Sequence, residues 1–526
     1  MQATTKRQQT WDLLKQKWDI IVIGGGVTGA GVFRRSVSAG FRTLLVEQAD
    51  FSSGTSSKSS KLVHGGFRYL RNKQYTVTRE SVKQREHLLR ESPNLVTPLA
   101  FMMPYSAKKR QRGMLSFGVT LYDLMAPKWK HRHLSADKAR AAIPELSAPW
   151  LEGAYLYYDA RLDDCRLVLR LIQEGQAEGG VALNYARVES LLKGQDGKVR
   201  GVAVSDCSTQ NLGSLEIQAR VVVNATGPWT DVLRAQVNAP ARIRPLRGSH
   251  LIFSRDALPI PYAVTLFHPV DGRAMFAIPW EGTTIIGTTD LDHPYPLNQE
   301  PFCTAEEKEY ILTAAQALFP KQNLDGGKVI SSFAGLRPIV RGDASNPSGE
   351  SRAHVVMQEQ GLVTITGGKL TIFELMAEDT LKAALPMLGQ KARPRKPFFE
   401  KPGPMEAVNG LQRADLAYLS GRYGKAAGEV VRGASEEELQ RVENLPAIWA
   451  EIRYNARAGM VEHLDDLLLR RTRLGMLLPL GAQDMLPRVK ALCQAELGWD
   501  DAHWEMETAH YARIYDEAYS PSPKGA

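Results

Sequence analysis

The chain has 526 residues, 43% of them apolar and 23% charged, with a formal net charge of +9 at pH 7. That length exceeds one hydrophobic core, so two or three domains are expected, and the composition excludes a disordered or fibrous protein. Four dispersed cysteines without a CxxC pair argue for a reducing compartment and against a zinc site, and no metal is expected.

Residues 1–18 read as a polar, partly helical leader without the apolar core of a secretory signal. The run Ile20–Ile23 then leads into Gly24-Gly25-Gly26-Val27-Thr28-Gly29. This is the pattern of a buried strand, a glycine turn and a helix start. Gly24 allows the tight turn, Gly26 lets the backbone approach a pyrophosphate, and Thr28 stands in the first helical turn. Gly29 lets helix and strand pack closely, while the helix N-terminus supplies N–H groups and a positive dipole end. A second strand, Thr43–Val46, ends in Glu47, an acid placed to hydrogen-bond a ribose. The N-terminal part therefore binds a dinucleotide.

Residues 51–75 form a Ser/Gly-rich loop followed by a basic, aromatic turn, and 76–92 read as an amphipathic helix. Strands are predicted at Gly201–Ser205 and Ala219–Val223. Five more, at His250–Ser254, Ala274–Pro279, Thr284–Gly287, Ala353–Met357 and Leu362–Thr366, fit an antiparallel sheet. The fold class is α/β: a two-part, Rossmann-like nucleotide-binding domain over 19–390 with an inserted antiparallel substrate sheet. The Pro- and charge-rich stretch 391–404 reads as a linker, and 405–526 as a separate helical domain. No apolar run reaches the roughly 18 residues of a membrane span. The chain is read as cytoplasmic or bound to a membrane surface. Its positive charge favours anionic partners, with phosphorylated substrates and anionic lipid ahead of nucleic acid, for which no motif is present.

Two further segments discriminate the dinucleotide. The buried strand Val221–Val223 ends in Asn224-Ala225-Thr226-Gly227, similar to the two-part FAD fold of flavin oxidoreductases. Small residues such as Ala225 and Gly227 let the strand end pass close to a cofactor. In Thr366-Gly367-Gly368-Lys369-Leu370-Thr371, glycines before a helix place N–H groups where negative charge develops on a reduced flavin, and Lys369 adds a cation.

With these, the stretch Thr55–Leu70 (TSSKSSKLVHGGFRYL), the segment Gly335-Leu336-Arg337-Pro338, and the C-terminal motifs EIRY (Glu451–Tyr454) and DLLLRRTRLG (Asp466–Gly475) make a specific set. The chain resembles the FAD-dependent, quinone-linked glycerol-3-phosphate dehydrogenases. Lys58 and Phe67 depart from the usual pattern at positions expected to lie away from the chemistry. The resemblance implies FAD contacts at Thr55, Ser56, Ser60, Lys61, His64 and Gly65, and at Gly335, Gly368, Lys369, Leu370 and Thr371. It implies oxidation of sn-glycerol 3-phosphate to dihydroxyacetone phosphate, with membrane quinone as acceptor. The alternative is an oxygen-dependent oxidase of the same fold acting on this substrate or on another hydroxy acid or amine.

A phosphate dianion calls for cations, preferably planar arginine forks. Arg68, Arg337, Arg352 and Lys369 are the candidates, with Tyr69 as a hydroxyl donor and Thr288 and Thr289 as polar contacts. By resemblance, Arg68 and Tyr69 line the pocket after the HGG loop, Arg337 lies beside the flavin, and Arg352 is the second pocket arginine. Loss of the substrate hydroxyl proton calls for a base, and His64 and His250 are both candidates. Arg337 suits the developing alkoxide. The basic clusters Lys108–Arg112 and Lys128–Arg132 flank the apolar Met114–Met125, a pattern that suits an anionic headgroup surface. The resemblance thus implies a peripheral protein on the cytoplasmic face of the inner membrane. Pocket capping, homodimer formation or partner binding are the roles open to the C-terminal domain.

Overall fold

The computed structural model describes residues 6–65, 75–106, 113, 116, 118–121, 131–342, 353–401 and 403–524. Among these, two sheets organise the molecule. The first is built on helix α1 (Lys6–Leu13), strand β1 (Trp18–Ile23), helix α2 (Val27–Ser38) and strand β2 (Thr43–Val46). β1 lies at its centre, parallel to β2 on one side and to Ser214–Asn224 on the other. Every residue of β1 and β2 is buried, which is why both read as continuous apolar runs, the signature of a parallel strand covered on two faces. Leu362–Gly367 extends the sheet in parallel and carries His354–Glu359 antiparallel at its edge. Helix α2 and the helices Asp164–Ala177 and Phe373–Leu388 contribute to the core beside it, with Phe33, Leu45, Val223 and Phe373 in one cluster.

The second sheet has ten strands and is largely antiparallel. Ile243–Ser254 is its organising strand, paired antiparallel with both Thr283–Gly287 and Val329–Val340. The inserted sheet is present and includes His250–Ser254, Ala274–Pro279 and Thr284–Gly287. Ala353–Met357 and Leu362–Thr366, expected in it too, belong instead to the first sheet, where Leu362–Gly367 finds a parallel partner in the buried strand Ser214–Asn224.

Three segments are more integrated than their composition suggests. The polar leader carries a helix whose Arg7 is buried and paired with Asp206 at 2.5 Å and Glu462 at 3.2 Å. Trp11 and Trp18 lie in the core beneath it. In the stretch read as a linker, Phe398 and Phe399 insert into the first core beside Phe373. The region 405–524 is helical, yet its core is continuous with the antiparallel sheet. Ile252, Trp280 and Phe333 share one cluster with Leu468, Trp504 and Tyr511. Among the described residues, no helix is long and apolar enough to cross a membrane.

Candidate active site

The two sheets meet at a cavity of about 960 Å³, at the upper end of the range for ligand clefts. One end is built from backbone. Gly24 has φ +109°, and a Cβ there would lie 2.6 Å from the carbonyl oxygen of Ala225. A Cβ on Gly29 would lie 1.8 Å from the carbonyl oxygen of Gly24, so only glycine lets α2 start this close to β1. Gly26 caps α2 without any side-chain cap, and the Val27 N–H donates to Ser56 Oγ at 2.8 Å. Glu47, at the end of β2, accepts from the Gly25 N–H at 2.6 Å and the Ala49 N–H at 3.0 Å. Burial pushes its carboxyl up, and those two N–H groups oppose the shift.

The adjoining lip is formed by Ala225, Gly227 and the turn after Leu362–Gly367. Gly367 and Gly368 both have positive φ, +74° and +71°, and a Cβ on Gly367 would lie 2.6 Å from the Ala353 carbonyl oxygen. Leu370 and Thr371 follow in a short turn that opens the helix Phe373–Leu388. Two glycine cradles and a helix start on one elongated cavity fit a dinucleotide. Ser52, buried on the cavity wall, keeps an Oγ with no hydrogen-bond partner among the described residues.

Side chains of the antiparallel sheet make the remaining wall. Directly paired residues share a face, so Phe276, Gly287, His250 and Phe333 form one row across four strands. A Cβ on Gly287 would lie 2.3 Å from the His250 ring, so glycine makes room for it. The ring stacks on Phe333 at 4.6 Å, and Nε2 is 2.8 Å from Ser60 Oγ. Nδ1 has no partner among the described residues. Burial, then the charges of Arg337 and Lys61, hold His250 well below the ordinary imidazole range, so it is neutral at pH 7. Two residues back, a Cβ on Gly248 would lie 2.2 Å from Arg337 Nη2, so the guanidinium passes over bare backbone. Arg337 Nη1 donates to Asp290 Oδ1 at 2.9 Å and Nη2 to Thr288 Oγ1 at 3.0 Å.

Most of the anticipated residues meet at this cavity. Gly24, Gly26, Thr28, Glu47, Thr55, Ser56 and Ser60 line it, as do His64, His250, Thr288, Gly335, Arg337, Gly368 and Lys369. Lys369 Nζ also donates to Ser81 Oγ at 2.8 Å. Four do not reach the wall. Lys61 is fully buried, its ammonium 2.9 Å from Asp164 and its value pulled down to about 8 by burial, so it acts from behind His250. Gly65 spends its N–H on Asp159. Gly29 serves helix packing, and Thr289 Oγ1 donates to Glu307 at 2.7 Å. Arg68, Tyr69 and Arg352 lie outside the described residues.

Two wall residues, and one buried carboxylate behind them, were given no role in the sequence reading. Arg273, at the start of a strand, donates from Nε to the Thr288 carbonyl at 3.2 Å. Asp290 is the carboxylate behind Arg337. Lys58, expected away from the chemistry, lines the cavity with its ammonium 2.5 Å from Glu300. Only the turn Asp271-Gly272 before Arg273 and the acid after Thr288-Thr289 were available as signals, and both are commonplace. Two arginines of DLLLRRTRLG, Arg471 and Arg473, are by contrast spent on buried carboxylates. Arg471 clasps Asp50 through both amino groups at 2.6 and 2.7 Å, and Arg473 lies 2.8 Å from Asp163 and 2.5 Å from Asp164.

Residues 19–373 match the family model described as FAD dependent oxidoreductase, and residues 365–504 match that of the C-terminal domain of alpha-glycerophosphate oxidase. The mitochondrial glycerol-3-phosphate dehydrogenase of Homo sapiens is 35% identical, over 96% of this chain and 74% of that protein. This chain belongs to the FAD-dependent glycerol-3-phosphate dehydrogenase family. The aerobic glycerol-3-phosphate dehydrogenase of Bacillus subtilis is 33% identical over 88% of each chain. The crystal structure of the glycerol-3-phosphate dehydrogenase from Bacillus halodurans, complexed with FAD, superposes with a TM-score of 0.77 at 27% identity. That match covers 100% of this chain and 99% of that one. FAD is the cofactor of this family member.

Proposed function

We propose that the protein oxidises sn-glycerol 3-phosphate to dihydroxyacetone phosphate and passes the electrons to membrane quinone. The observation that carries this reading is the pairing of Arg337 with a neutral His250 on the same wall of a cavity built for a dinucleotide. Bound FAD supplies the acceptor for the hydride leaving C2. His250 is our assignment for the group that takes the C2 hydroxyl proton, as its imidazole is unprotonated and its ring is fixed by Phe333 and Ser60. Arg337, held by Asp290 and Thr288, offers charge to the oxygen as its proton leaves. His64, also on the wall, is placed to line the substrate space.

The protein is proposed to sit peripherally on the cytoplasmic face of the inner membrane. Support comes from the net charge of +9 and from the clusters Lys108–Arg112 and Lys128–Arg132. Both clusters fall largely outside the described residues. Replacing them with Ser or Gln is expected to lower membrane partition and quinone-linked turnover while leaving activity with a soluble dye; unchanged partition removes the assignment. The decisive test of the reaction is anaerobic addition of glycerol 3-phosphate to the purified holoenzyme. Bleaching of the flavin band near roughly 450 nm, a property of the cofactor, establishes the donor. Persistence of the band with FAD bound refutes it.

A further inference from the structure

We infer that Arg273 is a further substrate-binding residue and contacts the phosphate end of the ligand. The inference rests on the reading of the substrate given above. Arg273 follows a tight turn in which its own N–H donates to Asp271 Oδ1 at 3.0 Å and its carbonyl accepts from the His268 N–H at 2.9 Å. The turn fixes where the side chain leaves the backbone, at the end of a strand whose Ala274 and Phe276 also line the cavity.

The guanidinium is then held from two sides. Nε donates to the Thr288 carbonyl at 3.2 Å, and Nη2 lies 3.5 Å from Asp290 Oδ2. Arg337 uses the other oxygen of the same carboxylate, Oδ1, at 2.9 Å. One fully buried aspartate thus orients two planar cations toward one cavity. Both side chains retain exposure there, 16% for Arg273 and 20% for Arg337, whereas the Asp290 side chain is at 0%. Arg337 is the member beside His250, the residue nearest the proton chemistry. Arg273 is set off from it by Thr288 and Asp290. A two-ended ligand with an alcohol to be oxidised and a phosphate matches that division: Arg337 takes the reacting oxygen, and Arg273 takes phosphate oxygens through its fork.

The test uses holoenzyme of the wild type, Arg273→Met and Arg273→Lys. Binding of inorganic phosphate is measured by calorimetry without turnover, and KM and kcat for glycerol 3-phosphate are measured with a soluble dye. Loss of one charged hydrogen-bonding partner is expected to weaken phosphate binding and raise KM together, by roughly 10- to 100-fold. The change in kcat is expected to stay within about threefold, and Lys to recover part of the loss. Unchanged phosphate affinity with a fall in kcat alone would make Arg273 a buttress for Asp290 and overturn the inference. The two readings separate cleanly: if glycerol 3-phosphate fails to bleach the wild-type flavin, the substrate assignment falls, while the phosphate titration still decides whether Arg273 binds an anion.

Discussion

Two sets of arginines in this chain have opposite fates. Arg471 and Arg473 are at 0% and 1% side-chain exposure and end on Asp50, Asp163 and Asp164. Arg273 and Arg337 share Asp290 and stay part-exposed on the cavity wall. The first set joins the helical C-terminal region to the first sheet through charges that have lost their water. The second set keeps access to solvent and hence to a ligand. The lesson is that an arginine-rich motif is no guide to a substrate site. What separates the two sets is whether the guanidinium is closed off by carboxylates or left facing a cavity.

The contrast can be broken from either side. The largest effect is expected from Asp50→Ala, which leaves Arg471 a buried charge without a carboxylate, while Arg470 keeps Asp465 and Asp466. A loss of about 3–5 kcal/mol should appear as a lower denaturant midpoint; a loss below about 1 kcal/mol would mean that water relieves the site. Arg337→Met should do the reverse. We expect kcat to fall by about 10²–10³, the usual cost of removing one donor to a developing oxyanion, with the unfolding midpoint nearly unchanged. If stability drops instead, Arg337 belongs with the structural set.

A finer perturbation is Gly248→Ala, whose new Cβ would lie 2.2 Å from Arg337 Nη2. It leaves every charge in place and moves one guanidinium, so kcat/KM should fall by roughly tenfold while FAD content holds. Wild-type kinetics from this variant would show that the approach of Arg337 over bare backbone has no consequence. The smallest effect concerns pH. A base works only when unprotonated, and His250 is held below the ordinary imidazole value near 6.5. The acid limb of kcat/KM should therefore fall below pH 6.5, and His250→Asn should abolish it. A limb at or above 6.5 that survives this substitution would transfer the role of base to another group, with His64 the first to examine.

Much of the fold was legible because its signals are local. Ile20–Ile23, the glycines that follow and Glu47 lie within one strand–helix–strand unit, and backbone sterics give each glycine a stated purpose. Gly367-Gly368 is readable for the same reason. The integration of the molecule was not legible. Arg7 with Asp206, Arg471 with Asp50, and Phe398 with Phe373 join residues distant in sequence or hidden in a polar context. Lys61 shows the limit most clearly. It sits in a cofactor-like motif, yet its side chain turns away to Asp164.

By itself, the sequence determined the dinucleotide cradle, the inserted sheet and the family, because contiguous residues set φ, strand runs and helix starts. Tertiary structure decided which arginines face the ligand, why His250 is neutral, and how the C-terminal region is attached. Burial and charge pairing produce those properties, and both depend on neighbours that chain order does not reveal.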